Sequence, residues 1–202
     1  MATVNTENKE VTRHAITLQQ LSTLIAAELS ELSSTAADAD RVNALRAIAS
    51  HVSAACLDDG FVGKHLNERA SGEAVREVLY EDAELGFCIC GHVYADAAHG
   101  GAHDHGPSWA IYGQAEGETE MSDWQVEEVA MEPGKDGREN IPVKLVKKNR
   151  TYTLQRGDAH IYDVGDIHSP SRAQPVKLLR VEGENLDNIK RSKIRPISDD
   201  KA

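Results

Sequence analysis

Residues 100–117, GGAHDHGPSWAIYGQAEG, and residues 157–172, GDAHIYDVGDIHSPSR, carry the pattern from which the fold can be read. In extended backbone, successive side chains point to opposite faces, so His103 and His105 project together while Asp104 points away. Two imidazoles one pleat apart can reach a single ion. Gly101 marks a strand start and Gly106, before Pro107, a tight bend. His168 follows a turn, DVGD, that begins another strand and can deliver a third imidazole from across a barrel. The expected metal ligands are therefore His103, His105 and His168. Imidazole nitrogen suits Fe, Ni, Cu or Zn and argues against Mg or Ca.

Working outward from these segments, the chain from about Gly86 onward reads as short extended stretches separated by Gly, Pro, Asp and Asn. FCICGHVYA, SWAIYGQA, ETEMSDWQVEEV, VKLVKK, RTYTLQ, AHIYDV and VKLLRVEG are the strand candidates, and EPGKDGRENIP is a turn-rich loop among them. Many short strands at such intervals suggest an antiparallel barrel or a double-sheet sandwich. The first eighty residues read as helical instead. Thr17 and Gln20 form a capping-box pattern ahead of Leu18, Leu21, Ile25, Leu29 and Leu32. A second apolar stripe runs through Val42, Leu45, Ala49, Val52 and Cys56 and ends at Gly60. A third, weaker helix is expected in HLNERASGEAVREVLY, broken at Gly72. The expected organisation is a helical extension over residues 1–82, a metal-binding barrel over 83–185 and a tail over 186–202, with IKRSKIRP read as a solvated run.

Lys and Arg number 22 against 33 Asp and Glu, a net charge of -11. That balance argues against nucleic acid or an anionic membrane surface as partner, since both need clustered cations. No apolar run reaches membrane-spanning length, and MATVNTENKE lacks a secretory pattern, so a cytoplasmic protein is expected. Cys56, Cys88 and Cys90 make an odd number, read as reduced thiols. Composition leaves a homo-oligomer open.

The second segment, with Gly157, Asp163, Gly165 and His168 in register, resembles the second motif of the cupin superfamily. Asp163 stands where proline is common and Arg172 where asparagine is common. The first segment resembles the first cupin motif. The resemblance implies a mainly β fold, the cupin double-stranded β-helix or jelly-roll barrel, behind an N-terminal helical extension. Most metal cupins place a glutamate four or five residues after the second histidine, whereas here those positions are Trp109 and Ala110. Three histidines without the glutamate, written HDH and followed by SWAIYGQAEGE, resemble the cysteine dioxygenase and 3-mercaptopropionate dioxygenase group, from roughly Arg76 to Glu184.

That resemblance implies a mononuclear non-haem dioxygenase. Ferrous iron on the three histidines, with Ni, Zn or Cu as alternatives, would oxidise a small anionic thiol with O2 to a sulfinic acid. His92 and Tyr94 fall at pocket-lining positions suited to proton transfer or orientation. Arg76 falls near the arginine that holds the substrate carboxylate, and Arg180 is a second anion anchor or a partner for Glu182. The chain also departs from the cysteine enzymes. Leu178, Arg180 and Glu182 stand near the positions of their serine, histidine and tyrosine, so cysteine itself is a doubtful substrate. Other readings are a three-histidine cupin dioxygenase cleaving a C–C bond of a diketone, a non-redox zinc or nickel cupin, and a non-catalytic cupin that binds a ligand through its metal.

Overall fold

The barrel is built from two five-stranded sheets laid face to face. In a computed structural model, which describes residues 16–32, 38–134 and 139–197, three helices precede the strands. They are α1 (Leu18–Ser30), α2 (Asp38–Leu57) and α3 (Asp59–His65). The strands are β1 (Arg76–Glu81), β2 (Cys88–Tyr94), β3 (Ala98–His99), β4 (Ala110–Glu116), β5 (Thr119–Pro133), β6 (Asn140–Leu154), β7 (Ala159–Tyr162), β8 (Ile167–Arg172), β9 (Val176–Glu182) and β10 (Lys193–Pro196). One sheet has the order β1-β2-β9-β4-β7 and the other β10-β6-β5-β8-β3. Chain neighbours β7 and β8 thus lie in opposite sheets, the jelly-roll arrangement of a cupin double-stranded β-helix.

Both faces of the first sheet are covered, which is why β2 and β9 carry almost no exposed residue. Outward-facing Ile89, Ile111, Leu179 and Val181 pack with Leu21, Ile25, Leu45, Ile48, Val52, Cys56 and Phe61 of the helices. Inward-facing Ala110, Tyr112, Val176 and Leu178 meet Met121, Leu154 and Tyr162 inside the barrel. Helix α2 comes so close to β4 that a Cβ on Gly113 would stand 2.5 Å from Val52 Cγ1 and 2.7 Å from Cys56 Sγ. Overpacking of that kind costs about 1–3 kcal/mol, so glycine sets the seat of the helix. Arg41 of α2 grips Asp163 at the end of β7, with Nη2 2.9 Å from Oδ2.

The Thr17–Gln20 capping box forms with both hydrogen bonds present. The third helix lies earlier than expected. Residues 59–65 are helical, Gly72 takes a positive φ of 84°, and Arg76–Glu81 forms β1 along β2. An unpaired edge of β2 has more to gain from a ladder partner than this short stretch gains as a helix. The run read as a solvated tail is also structured, since β10 pairs in parallel with β6 from Lys193↔Val143 to Pro196↔Val146. The first sheet therefore begins inside the stretch assigned to the helical extension, and the second ends inside the tail. VKLVKK and RTYTLQ join into the single strand β6. No described helix is long and apolar enough to cross a membrane.

Candidate metal centre and anion pocket

His103, His105 and His168 come together with one ligand atom from each within 4.8 Å of the others. The backbone fixes two of them directly. His103 and His168 form an isolated antiparallel bridge, with N–H to carbonyl distances of 2.9 Å and 3.0 Å in the two directions. His168 also sits in β8 opposite Asp123 of β5. The regular strand expected around HDH is reduced to that one bridge, yet the alternation survives. The rings of His103 and His105 lie 5.7 Å apart, while Asp104 turns elsewhere. The buried Asp104 carboxylate accepts from Lys144 Nζ at 2.9 Å and from the amides of Ser192 at 3.1 Å and Gly106 at 3.2 Å. It thereby ties the histidine loop to β6 and to the segment before β10. Gly106 has φ 61°, and a Cβ there would lie 2.7 Å from Ile189 Cγ2, so no other residue fits the bend after His105.

His103 Nδ1 faces the Gly101 carbonyl at 2.9 Å, which leaves Nε2 free. His105 Nε2 and His168 Nε2 converge on the Tyr112 hydroxyl at 3.0 Å and 3.3 Å. Tyr162 stacks on the His168 ring at 3.8 Å between centroids, fixing its plane. Burial pushes the imidazolium of His103 down to about 4 and that of His105 to about 2, and drives His168 well below its usual value. All three are therefore neutral at physiological pH, the form in which imidazole binds a metal. The donor set fits a transition-metal ion. Trp109 and Ala110 supply no carboxylate to it, and a side-chain oxygen within hydrogen-bond reach of two of the histidines is that of Tyr112, which sequence reading passed over. Tyr112 lies one pleat beyond Ala110 on the same face of β4, and that alternation was the signal available.

A cavity of about 500 Å³ opens beside His103, lined by His92, Tyr94, Tyr112, Leu178, Arg172, Arg180 and Arg191 among others. His92 and Tyr94, the candidate pocket residues, both line it. His92 Nε2 is buried without a hydrogen-bond partner, and burial first, then Arg180 and Arg76, hold the ring neutral. Arg180 lines the cavity and also pairs with Glu182, Nε to Oε1 at 3.0 Å, while its guanidinium stacks over Tyr112 at 4.6 Å. Arg76 is not among the lining residues. Its Nη2 is 2.9 Å from Glu182 Oε2 and 2.9 Å from Asn185 Oδ1, and Nη1 pairs with Asp187. Two lining arginines were not assigned to the pocket by sequence reading, Arg191, which is exposed, and the buried Arg172. It is 3 % exposed, stacks over Tyr94 at 4.1 Å, and has no carboxylate partner among the described residues. His160 lies in a different cavity, between the rings of Tyr152 and Tyr162. A larger groove of about 800 Å³, lined by Val129, Ile141, Pro142 and Lys144 among others, contains none of the three histidines.

No protein-family model matches the chain, and no curated protein matches it. Solved structures do. A conserved protein with a double-stranded β-helix domain from Klebsiella pneumoniae is similar at 16% identity over 66% of this chain and 88% of that one, with a TM-score of 0.44. A cupin superfamily protein from Desulfitobacterium hafniense is similar at 12% identity over 59% of this chain and 84% of the other, with a TM-score of 0.40. A protein containing a cupin-2 domain from Shewanella frigidimarina shares 12% identity over 55% and 82% of the two chains, with a TM-score of 0.37.

Proposed function

We propose that this chain is a metal-dependent dioxygenase of the thiol dioxygenase type, acting on a small anionic thiol. The observation that carries the substrate class is Arg172, a buried guanidinium with no carboxylate partner among the described residues that faces a cavity opening beside His103. A buried charge is costly unless it is paired, so the missing anion is the natural occupant of that cavity. Arg180, half committed to Glu182, and Arg191, exposed at the mouth, add positive charge around the same space. No acidic residue lines it among the described residues, so an anion entering meets a field of one sign from them.

Ferrous iron held by His103, His105 and His168 would supply Lewis-acid activation of the substrate sulfur and redox contact with dioxygen. The protein's own side chains do the rest. The guanidinium of Arg172 holds the substrate carboxylate by charge-assisted hydrogen bonds and so aims the other end at the histidines. His92 stays neutral, and its Nε2 offers a hydrogen bond to substrate where the protein gives it none. Tyr94, held under Arg172, closes one wall and presents its hydroxyl as a second orienting group. The barrel interior excludes bulk water from the reacting atoms.

Oxygen uptake by iron-loaded protein against small thiol carboxylates tests this reading, with sulfinic acid as the expected product. Uptake with a diketone but with no thiol would transfer the chain to C–C cleavage. Ligand binding without any uptake would make it a sensor.

A further inference from the structure

We propose that Tyr112 is a fourth protein donor to the metal, its phenolate oxygen taking the place of the carboxylate that the HDH segment lacks. The inference rests only on the metal-binding part of the function proposed above. The geometry points to it first. Two donors about 2.0–2.2 Å from a shared ion, at right or tetrahedral angles, stand roughly 2.9–3.5 Å apart. Tyr112 Oη is 3.0 Å from His105 Nε2 and 3.3 Å from His168 Nε2, inside that range for both.

A plain hydrogen-bonding role needs different tautomers on the two imidazoles. One hydroxyl proton can serve only one of the two Nε2 lone pairs, so the other imidazole must carry its proton on Nε2. An ion at the focus accepts both Nε2 lone pairs and the phenol oxygen at once.

The ring cannot swing aside cheaply. Its strand is paired on both edges, Tyr112↔His160 and Tyr112↔Arg180, and the Tyr162 ring stands edge-on against it at 5.1 Å and 89°. Arg180 covers it at 4.6 Å, a position in which a cation favours an electron-rich ring and offsets phenolate charge. On binding, the phenol O–H breaks, the oxygen–metal bond forms, and the proton leaves to water through the cavity. No electron moves, and a dicationic centre falls to a single positive charge.

The test uses cupric ion titrated into the purified full-length protein, read by visible absorption and resonance Raman scattering. Wild type is expected to show a phenolate-to-copper charge-transfer band and phenolate ring vibrations in resonance with it. Tyr162→Phe and Tyr94→Phe retain both signals. Tyr112→Phe loses both, keeps the weaker absorption of imidazole-bound copper, and binds the ion roughly 10–100-fold less tightly, at least the loss that removing an outer-shell partner brings. Stoichiometric copper in wild type without a phenolate signature overturns the proposal, and so does a signature that persists in Tyr112→Phe. Should Tyr112→Phe fail to fold, the signature's survival in both other variants assigns it, and its loss in either overturns the assignment. A protein that takes up no copper overturns this inference together with the metal centre. Copper without phenolate overturns this inference alone.

Discussion

Among the described residues there are two groups of three potential ligands, alike in proximity and mostly buried, but different in chemistry. His103, His105 and His168 lie with ligand atoms within 4.8 Å, and so do Cys88, Cys90 and Glu182 on the neighbouring strands β2 and β9. The histidines are neutral donors beside a cavity. The second group lines no cavity among those described, and its charge is already balanced. Glu182 Oε2 takes Arg76 at 2.9 Å and the Leu186 amide at 3.1 Å, while Oε1 faces Arg180 at 3.0 Å. The hydrogen bond to the Cys90 sulfur, then burial, then Glu182 push the Cys88 thiol upward, so the thiolate a metal needs is disfavoured. A cation entering there would displace two guanidinium groups. Closeness of donors thus does not make a metal site; uncommitted lone pairs facing open space do.

The sharpest way to break this contrast is metal analysis after loading with ferrous iron or zinc. His103→Ala, His105→Ala and His168→Ala should each lose most of the bound metal. Cys88→Ala and Cys90→Ala should bind as wild type does. Metal retained by all three histidine variants and lost from a cysteine variant would reverse the two assignments.

Next in size is the role of charge in the second group. Glu182 is 0 % exposed, and its removal strands Arg76 and Arg180. Glu182→Ala should therefore cost about 3–5 kcal/mol in denaturant unfolding. The same carboxylate gives a pH signature. Burial opposes its charge, but Arg180 and Arg76 outweigh burial and hold its pKa below the usual carboxylate value. A group depressed in the folded state contributes stability that is whole above its unfolded pKa and is lost as pH falls through the folded one. Wild type should lose stability on acidification below about pH 4.5, near the unfolded pKa of glutamate, and Glu182→Gln should lose less over the same range. Equal acid sensitivity would show that the pair is not a strut.

The arginines extend the comparison. Arg172 and Arg76 both reach inward from strands, but only Arg172 lacks an anion. Arg172→Gln should weaken binding of an anionic substrate about 10–100-fold, the loss of a charge-assisted bond, with metal content unchanged. Arg76→Gln should instead lower stability and leave substrate affinity close to wild type. The opposite result for the two would return Arg76 to the pocket.

Much of this was legible in the sequence, for identifiable reasons. Alternation put His103 and His105 on one side and turned Asp104 away, and that survives although only a single bridge of strand remains. Along β2, Ile89 and Val93 pack toward the helices, while His92 and Tyr94 line the cavity. Pairing across the sheets was not legible, because it depends on residues a hundred positions apart. Arg76 was drawn to the pocket by its place in the family resemblance, whereas Glu182, 106 residues away, holds its guanidinium. Tyr112 escaped notice because the search stopped at the two positions where a carboxylate was expected. Its phenol reaches the imidazoles from one pleat further on. Arg172 was noted only as a departure from a motif, since burial without a partner is a property of the fold.

The smallest expected effect is also the cleanest check on what the cysteine group is for. If Cys88 and Cys90 do no more than fill space under β9, replacing either by alanine removes one buried sulfur and costs about 1 kcal/mol, the usual size for a single core change. Their sulfurs are 3.6 Å apart, and both residues are free and buried. Thiol reagents should therefore label neither in the native protein and both after denaturation. Burial likewise raises the Cys56 thiol to about 12, so Cys56 should behave in the same way. A native Cys88 that reacted as fast as a free thiol, or a Cys88→Ala variant that changed oxygen uptake at constant metal content, would mean that the second group is coupled to the first through Glu182 and Arg180. Arg180 lies between them, pairing with Glu182 on one side and covering Tyr112, the neighbour of His105 and His168, on the other.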